Sequence, residues 1–214
     1  MGRTELCDSN NEEIKKKAQK LAKDAAAPKE AAINIFYFVR DEILYALDFV
    51  DVKASHTLRT RLGECVNKSN LQIALLRAVG IPARYRRVAI RKELLQGIFS
   101  GLVYRSLPEV AGPHPYCEYY LSGKWIACQA LFDKALFEGV LQRGFAAASQ
   151  IPTIDWDGEN DLIVDAPWVV KNFGAFDCLD DLWIEIAKTQ FVPRILQCIA
   201  MSFSNRHTNS LRKR

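Results

Sequence analysis

One segment near the middle of the chain is apolar around most of its circumference when it is read as a helix. Within residues 71–79 only Gln72 and Arg77 are polar. The apolar residues are Leu71, Ile73, Ala74, Leu75, Leu76, Ala78 and Val79. A helix that is hydrophobic on nearly all sides has to be surrounded by other elements. Gly80 follows at the position of a left-handed C-terminal cap, and Pro82 prevents continuation. The sequence therefore predicts a central core helix that ends near residue 79.

The segments around this helix predict an α+β fold. Apolar residues at three- and four-residue spacing predict helices over about 11–25 and 29–45. Residues 83–90 predict a strand, and the runs 116–121 and 124–128 flank Ser122-Gly123, the pattern of a hairpin with a two-residue turn. Further helices are predicted at about 134–139, 179–188 and 194–203, whereas residues 94–112 show no period. Helices packed on an antiparallel sheet follow from this order.

Composition is that of an ordinary globular domain. The chain has 214 residues, of which 49% are hydrophobic and 25% charged, with no internal repeat or low-complexity tract. It contains no run of the ~18 uncharged apolar residues that a bilayer span requires. The first 20 residues are polar and lack the apolar core of a secretory signal. We therefore expect a cytoplasmic protein without a membrane span, whose cysteines are thiols.

The positive charge is concentrated at the end of the chain. The net charge is +4, and residues 206–214 contain Arg206, Arg212, Lys213 and Arg214 with no acid. Such a tail can attract phosphates, but no aromatic residues interleave with the charges as they do on nucleic-acid platforms. A frayed, solvated terminus is therefore the favoured interpretation, and the sequence gives no strong nucleic-acid signal.

Cys65 lies at the first turn of the central helix, directly after Gly63-Glu64. The unpaired amides and positive end of a helix stabilise a thiolate and lower the pKa of a cysteine, which is ordinarily about 8.5. This position therefore suits a nucleophile. The alternative is a small buried hydrophobic residue, which is the usual role of an unpaired cysteine.

His114 enters the predicted hairpin on the same face as Gln129. If Ser122 and Gly123 form the turn, strand alternation places both side chains on one side of the sheet. Gln129 is then a diagonal neighbour of His114, at a Cα separation of about 7–8 Å that a long amide can bridge. Asp133 is the other diagonal neighbour if the strand continues that far, although it also suits the N-cap of the helix that follows. A thiol, an imidazole and an orienting polar group are the parts of a nucleophilic cysteine site.

Three motifs together resemble the transglutaminase-like superfamily. They are Gly63-Glu-Cys65, then LLRAVGIPAR over residues 75–84, and HPYCEYYLSGKW over residues 114–125. The resemblance covers about residues 30–135, and residues 131–183 also look like the bacterial and archaeal branch of the superfamily. It implies a papain-like plan in which Cys65 is the nucleophile and His114 the base. It also implies one transglutaminase-like domain over residues 1–205, with its core at about 30–135, followed by the basic tail 206–214.

The third catalytic position departs from the family pattern. The family has Asp four residues after the motif tryptophan, and that position here is Gln129. A neutral amide can orient an imidazole but stabilises an imidazolium less than a carboxylate does. Three interpretations stay open: a Cys65–His114–Gln129 triad, replacement of the carboxylate by Asp133, or a weakened site. We favour Gln129 because the N-cap role would already engage Asp133.

The remaining cysteines do not form a metal-binding pattern. Cys117 and Cys128 are expected to face each other across the hairpin, on the side opposite His114, and the sequence has no C-x-x-C. No phosphate loop, H-E-x-x-H or EF-hand is present either. We therefore expect no metal and no cofactor. A disulfide between Cys117 and Cys128 is disfavoured in a reducing compartment.

The resemblance implies a function as well as a fold. It implies a cysteine enzyme that attacks a peptide or protein amide through a thioester, and then transfers the acyl group to water or an amine. The competing hypothesis is a catalytically weakened module that binds a peptide in the same cleft, and it is motivated by the amide at Gln129.

Overall fold

The N-terminal part of the fold consists of helices and a small pair of parallel strands. The computed structural model describes residues 4–180 and 193–213. The helices are α1 (Glu12–Ala22), α2 (Pro28–Glu42), α3 (Ala54–Thr60) and α4 (Cys65–Ala78). Strands β1 (Leu44–Tyr45) and β2 (Leu62–Gly63) pair in parallel and bring the chain back to the beginning of α4.

Helix α4 is the central core helix that the sequence predicts. Leu71, Ile73, Leu75 and Leu76 are completely buried. The helix ends as expected, because Gly80 has a φ of +79° and its N–H donates to the carbonyl of Arg77 at 3.1 Å. Glycine adopts this left-handed conformation without the steric cost that a Cβ atom imposes. The predicted cap is therefore confirmed.

An antiparallel sheet of four strands packs against α4. The strands are β3 (Ala83–Arg91), β4 (Val110–Leu121), β5 (Lys124–Ala127) and β6 (Val169–Phe176), in the order β5-β4-β3-β6. Leu121 pairs with Lys124, and both turn residues, Ser122 and Gly123, have positive φ. This geometry is the tight hairpin turn that matches the twist of the strands. The predicted hairpin is confirmed, and the fold is α+β with Cys65 at the beginning of its central helix.

The second half of the chain adds shorter elements. A 3₁₀ helix (Lys92–Leu95) and α5 (Gly101–Ser106) occupy the stretch for which the sequence shows no period. Then come α6 (Lys134–Gln142), α7 (Ala146–Ser149), a second 3₁₀ helix (Ala166–Trp168) and α8 (Arg194–Leu211). Most of the helix predicted at 179–188 lies outside the described residues. Among the described helices, none is long and apolar enough to cross a bilayer.

Strand β6 is an element that the sequence analysis did not predict. Most of its side chains are exposed, so the alternation of buried and exposed residues that marks a strand is weak. Gly174 also interrupts it, with a φ of +90°, where the register against β3 shifts. Glycine inside a strand is typical of such irregular pairing.

The end of the chain differs from the frayed tail that its charge suggests. Helix α8 continues to Leu211, which is buried, and the Arg212 side chain enters the protein. Its guanidinium donates to both carboxylate oxygens of Asp133, at 2.9 and 2.6 Å, and to the carbonyl of Tyr45 at 2.7 Å. A buried carboxylate attracts the arginine, which a count of charges along the sequence cannot show.

Lys68 is a buried cation within the central helix. Its ammonium group donates to the carbonyls of Arg40, at 3.1 Å, and Ile43, at 2.6 Å, near the C-terminal end of α2. Burial lowers the pKa of Lys68 to about 7, because a charged amine loses its hydration inside the protein. Between pH 7 and about 10.5, the unfolded chain therefore binds more protons at this residue than the folded chain does.

We expect the contribution of Lys68 to stability to rise with pH across this window. The penalty for burying the cation is complete below pH 7 and disappears towards pH 10.5, with a slope of at most about 1.4 kcal/mol per pH unit. The measurement is the free energy of unfolding in urea from pH 6 to 9.5, for the native chain and Lys68→Met. The difference between the two should change with pH. Parallel profiles would show that Lys68 stays protonated in the folded state.

Candidate active site

Cys65 is the first residue of α4 and is held there by a capping box. The Glu64 carboxylate accepts from the backbone N–H of Val66 at 3.0 Å, and the Asn67 side chain accepts from that of Glu64 at 3.1 Å. Gly63 makes this geometry accessible, because a Cβ atom at that position would lie 2.7 Å from the Cβ of Asn67. The turn that the sequence predicts at Gly63 is thus a close approach between β2 and the first turn of the helix.

Two hydrogen bonds fix α4 against the strands that carry the other predicted site residues. The Ser69 hydroxyl donates to the carbonyl of Pro115 at 2.9 Å. The Gln72 amide donates to the carbonyl of Cys128, also at 2.9 Å. Ser69 lies one helical turn after Cys65, Pro115 directly follows His114, and Cys128 directly precedes Gln129. These bonds place His114 and Gln129 beside the first two turns of α4, the helix that begins with Cys65.

The imidazole of His114 is bonded to a buried carboxylate. Its Nε2 lies 2.9 Å from Oδ2 of Asp165, which is completely buried, and His114 itself is only 5% exposed. An ionised carboxylate can only accept a hydrogen bond, so this contact favours the tautomer with the proton on Nε2 and leaves Nδ1 as the basic nitrogen. The contact also orients the plane of the ring.

Gln129 holds Asp165 in place with both ends of its amide. Its Nε2 donates to Oδ2 of Asp165 at 2.8 Å, and its Oε1 accepts from the backbone N–H of Asp165 at 3.2 Å. The same Nε2 lies 3.3 Å from Nε2 of His114. The sequence assigns the role of orienting His114 to Gln129. In the structure its carbonyl accepts from the backbone of Asp165, and its Nε2 contacts both the imidazole and the carboxylate bonded to that imidazole.

Asp165 reaches the site through a short pairing between a loop and the end of β5. The N–H of Leu162 donates to the carbonyl of Ala127 at 2.9 Å, and that of Gln129 donates to the carbonyl of Leu162 at 3.0 Å. Cys128 and Leu162 therefore form a parallel bridge. Three residues later, Asp165 lies beside Gln129.

Sequence reasoning missed Asp165. It stands 36 residues after Gln129, beyond two helices and an irregular loop, so no fixed spacing links it to the motif. The available signal was weak: one acidic residue at the end of the apolar run Leu162–Val164. A carboxylate in such a place has to be paired or solvated, which could have marked it as a candidate.

Asp133 has the structural role that its sequence position suggests. It caps α6, where its Oδ1 accepts from the N–H of Leu136 at 3.0 Å, while its Oδ2 accepts from that of Tyr45 at 2.9 Å. Burial alone would raise the pKa of Asp133, but the Arg212 guanidinium holds it below its usual range. Both oxygens are thus engaged away from His114.

The thiol of Cys65 is not stabilised as a thiolate in this geometry. Its Sγ donates to Oε2 of Glu64 at 2.8 Å. Burial and the neighbouring Glu64 carboxylate raise the pKa of the Cys65 thiol well above its ordinary value, and burial also raises that of Glu64. The sequence predicts the opposite shift from the helix end. The helix end does lower the pKa of the thiol, through the backbone N–H of Val66, but burial and the adjacent negative charge outweigh it.

The described residues contain no cluster of ligands for a metal ion. Within residues 4–180 and 193–213, no three His, Cys, Asp or Glu side chains group in a way that could hold one. The six cysteines are unpaired. Cys117 and Cys128 face each other as predicted, with the N–H of Cys128 donating to the carbonyl of Cys117 at 2.9 Å.

Comparison with known proteins gives one family match. The model of the transglutaminase-like superfamily matches residues 15–130. Among curated proteins, none matches the chain. A solved structure of a candidate cysteine protease from Cytophaga hutchinsonii is similar over 60% of this chain and 39% of its own, with 24% identity and a TM-score of 0.47. A second, a candidate protease from Parabacteroides distasonis, is similar over 57% of this chain and 24% of its own, with 16% identity and a TM-score of 0.41. The chain therefore spans well under half the length of either.

Proposed function

This chain belongs to the transglutaminase-like superfamily, and from that premise we propose that it is a cysteine-dependent enzyme acting on a peptide or protein amide. The observation that carries the proposal is the 2.9 Å bond between His114 and the buried Asp165. This pair lies beside the N-terminal turns of α4, the helix that begins with Cys65. A nucleophile, a base and a carboxylate that orients the base are the minimum set for acyl transfer through a thioester. No cofactor takes part in this chemistry.

The acylation step begins with transfer of the Cys65 proton to Nδ1 of His114. The sulfur then attacks the amide carbonyl carbon, and the carbon–oxygen π electrons move onto the oxygen. The backbone N–H of Cys65, at the beginning of α4, is the natural donor to this oxyanion. When the oxyanion collapses, the carbon–nitrogen bond breaks, and the imidazolium gives its proton to the leaving amine.

The deacylation step reverses the roles. Neutral His114 removes a proton from water or from an acceptor amine, which attacks the thioester, and the carbon–sulfur bond breaks to restore the thiol. Asp165 favours the imidazolium in both steps, because it is a fixed negative charge against Nε2. Of the two acceptors we favour water, which makes the reaction a hydrolysis. We also propose that the protein works in the cytoplasm, where its cysteines stay reduced. Transfer to an amine uses the same residues.

The binding-module alternative loses its main support in this geometry. That alternative rests on the absence of a carboxylate at residue 129, whereas Asp165 brings a carboxylate to the same imidazole. A module that only bound peptides would not need a buried Asp–His pair beside a thiol, because burying a charge costs free energy that binding does not recover.

The test is labelling with a peptidyl acyloxymethyl ketone, a probe that alkylates nucleophilic cysteines, followed by mass-spectrometric mapping. We expect the label on Cys65 in preference to Cys198, which is the most accessible of the cysteines in the described residues. His114→Ala should abolish this preference without unfolding the chain. If the probe follows accessibility and labels Cys198 first, or if His114→Ala labels equally well, the enzyme proposal fails.

A further inference from the structure

Glu64, the residue between Gly63 and Cys65, is hydrogen-bonded directly to the proposed nucleophile. One of its carboxylate oxygens caps α4 at Val66, and the other accepts the thiol proton of Cys65 at 2.8 Å. The cap limits how far the carboxylate can turn away from the sulfur. A side chain chosen only as a helix cap would not need this second contact, since serine, threonine or aspartate cap equally well.

Three acidic groups act on the Cys65 sulfur, and His114 of β4 is bonded to one of them. Glu64 precedes the cysteine in the chain, Asp165 contacts the imidazole, and Tyr45 belongs to β1. His114 can accept the thiol proton, whereas Glu64, Asp165 and an ionised Tyr45 all disfavour a negative sulfur. Of these, Glu64 is the one bonded directly to the thiol.

We propose that Glu64 is a positioning residue that keeps Cys65 as a thiol in the resting site, and that breaking its contact with the sulfur frees the proton for His114. This inference extends the proposed function by adding control of the nucleophile. The proton balance is simple: the thiol S–H bond turns from Oε2 of Glu64 to Nδ1 of His114, the proton moves to that nitrogen, and a thiolate–imidazolium pair results. No oxidant or further reactant is needed.

The contact suggests what could break it. Glu64 as a residue is half-buried, and both of its carboxylate oxygens are engaged, one by the thiol of Cys65 and one by the N–H of Val66. A cationic group of a bound substrate would pair with that carboxylate and weaken both its hold on the thiol and its repulsion of a thiolate. A cationic side chain or amine near the scissile amide is therefore the substrate feature that this geometry favours.

The decisive variant is Glu64→Gln, which keeps an oxygen for the cap at Val66 but removes the charge. Its amide N–H can also donate to a thiolate. We expect Cys65 in this variant to react with iodoacetamide at pH 7 about tenfold faster or more, because each unit of pKa changes the thiolate fraction about tenfold. The measurement is the alkylation rate of Cys65 from pH 5 to 10, resolved by mass spectrometry. Its midpoint should shift to lower pH.

Controls separate this role from a structural one. Glu93→Gln removes an equal charge from an exposed site away from Cys65 and should leave the profile unchanged. In every variant, Cys198 reports any general change in accessibility. The proposal is overturned if Glu64→Gln leaves the midpoint in place, or if it raises the midpoint, which would mean that Glu64 supports the ion pair by stabilising the His114 imidazolium.

The two proposals fail in different ways. Alkylation of Cys65 by iodoacetamide needs no substrate. The pH profile of the Glu64→Gln variant is therefore informative even if the acyloxymethyl ketone does not label Cys65. Conversely, selective labelling of Cys65 by that probe would support the enzyme even if the Glu64→Gln profile did not move.

Discussion

Asp165→Asn is expected to slow inactivation of Cys65 by the acyloxymethyl ketone probe on the order of 10³- to 10⁴-fold, with the fold intact. The asparagine amide fits the same space but carries no charge to stabilise an imidazolium. It can also present N–H groups to Nε2 of His114, which would favour the tautomer in which Nδ1 holds the proton. That tautomer cannot accept the proton of Cys65. The loss should therefore appear in the rate of the chemical step.

Two further variants make this result specific to Asp165. Asp161→Asn is the matched control, because this aspartate lies on the same loop and accepts from the N–H of Ala127 at 2.8 Å without contacting His114. Gln129→Ala should cause a smaller loss, since it removes contacts to Asp165 and His114 but leaves the charge of Asp165 in place. If Gln129→Ala abolished labelling while Asp165→Asn kept it, Gln129 would be the third catalytic residue and Asp165 a structural one.

Gln129→Asp also tests whether Gln129 or Asp165 orients His114, because the two assignments predict opposite changes in the labelling rate. If the amide itself oriented His114, a carboxylate in its place should raise activity. Because Gln129 donates to Asp165, a carboxylate at residue 129 would instead face a second one, and the two would have to share a proton. We expect a slower reaction and a shifted pH profile of labelling. Faster labelling at neutral pH would favour the direct role of Gln129.

Arg212→Ala is expected to lower the free energy of unfolding by about 3–5 kcal/mol, which is typical when one partner of a buried ion pair is removed. The guanidinium side chain is 10% exposed and the Asp133 side chain 2%, so the buried carboxylate would lose the positive charge that is bonded to it and keep only the more distant effect of Lys68. The same arginine also donates to the carbonyl of Tyr45, and thus links α8, α6 and β1. Urea denaturation at pH 7 measures the loss.

Lys213→Ala is the control for this prediction. It removes the same charge from the neighbouring exposed residue, and we expect a change within about 0.5 kcal/mol. Since the pKa of Asp133 is held low in the folded protein, the stability that the pair contributes is present above the unfolded pKa of about 3.9 and is lost as the pH falls below it. Equal stabilities for the two variants at pH 7 would show that the ion pair contributes nothing.

The sequence predicts those parts of the fold that depend on local patterns. The core helix was visible from its apolar residues and from Gly80, and the hairpin from Ser122-Gly123, because helix caps and tight turns depend on residues a few positions apart. For the same reason, the N-cap role of Asp133 could be anticipated. Cys65 and His114 came from motifs with fixed spacing.

The parts that escaped prediction depend on contacts between distant residues. Asp165 approaches His114 through the pairing of Leu162 with Ala127 and Gln129, and Arg212 returns to Asp133 from 79 residues away. Neither pairing has a spacing that could be read along the chain. The pKa of Cys65 was predicted in the wrong direction for a related reason: the helix end is visible in the sequence, whereas burial is a property of the folded molecule.

Because Cys128 and Leu162 form a bridge, the position of Asp165 next to His114 does not depend on the number of residues between Gln129 and Leu162. The bridge sets the place of Asp165, so the connection between Gln129 and Leu162 could differ in length from one chain to another without moving the carboxylate. A search for the catalytic motif that stops at residue 129 would classify such a chain as defective. Chains with glutamine there should therefore be examined for an aspartate at the end of a later apolar segment that can pair with the strand, at whatever distance it occurs.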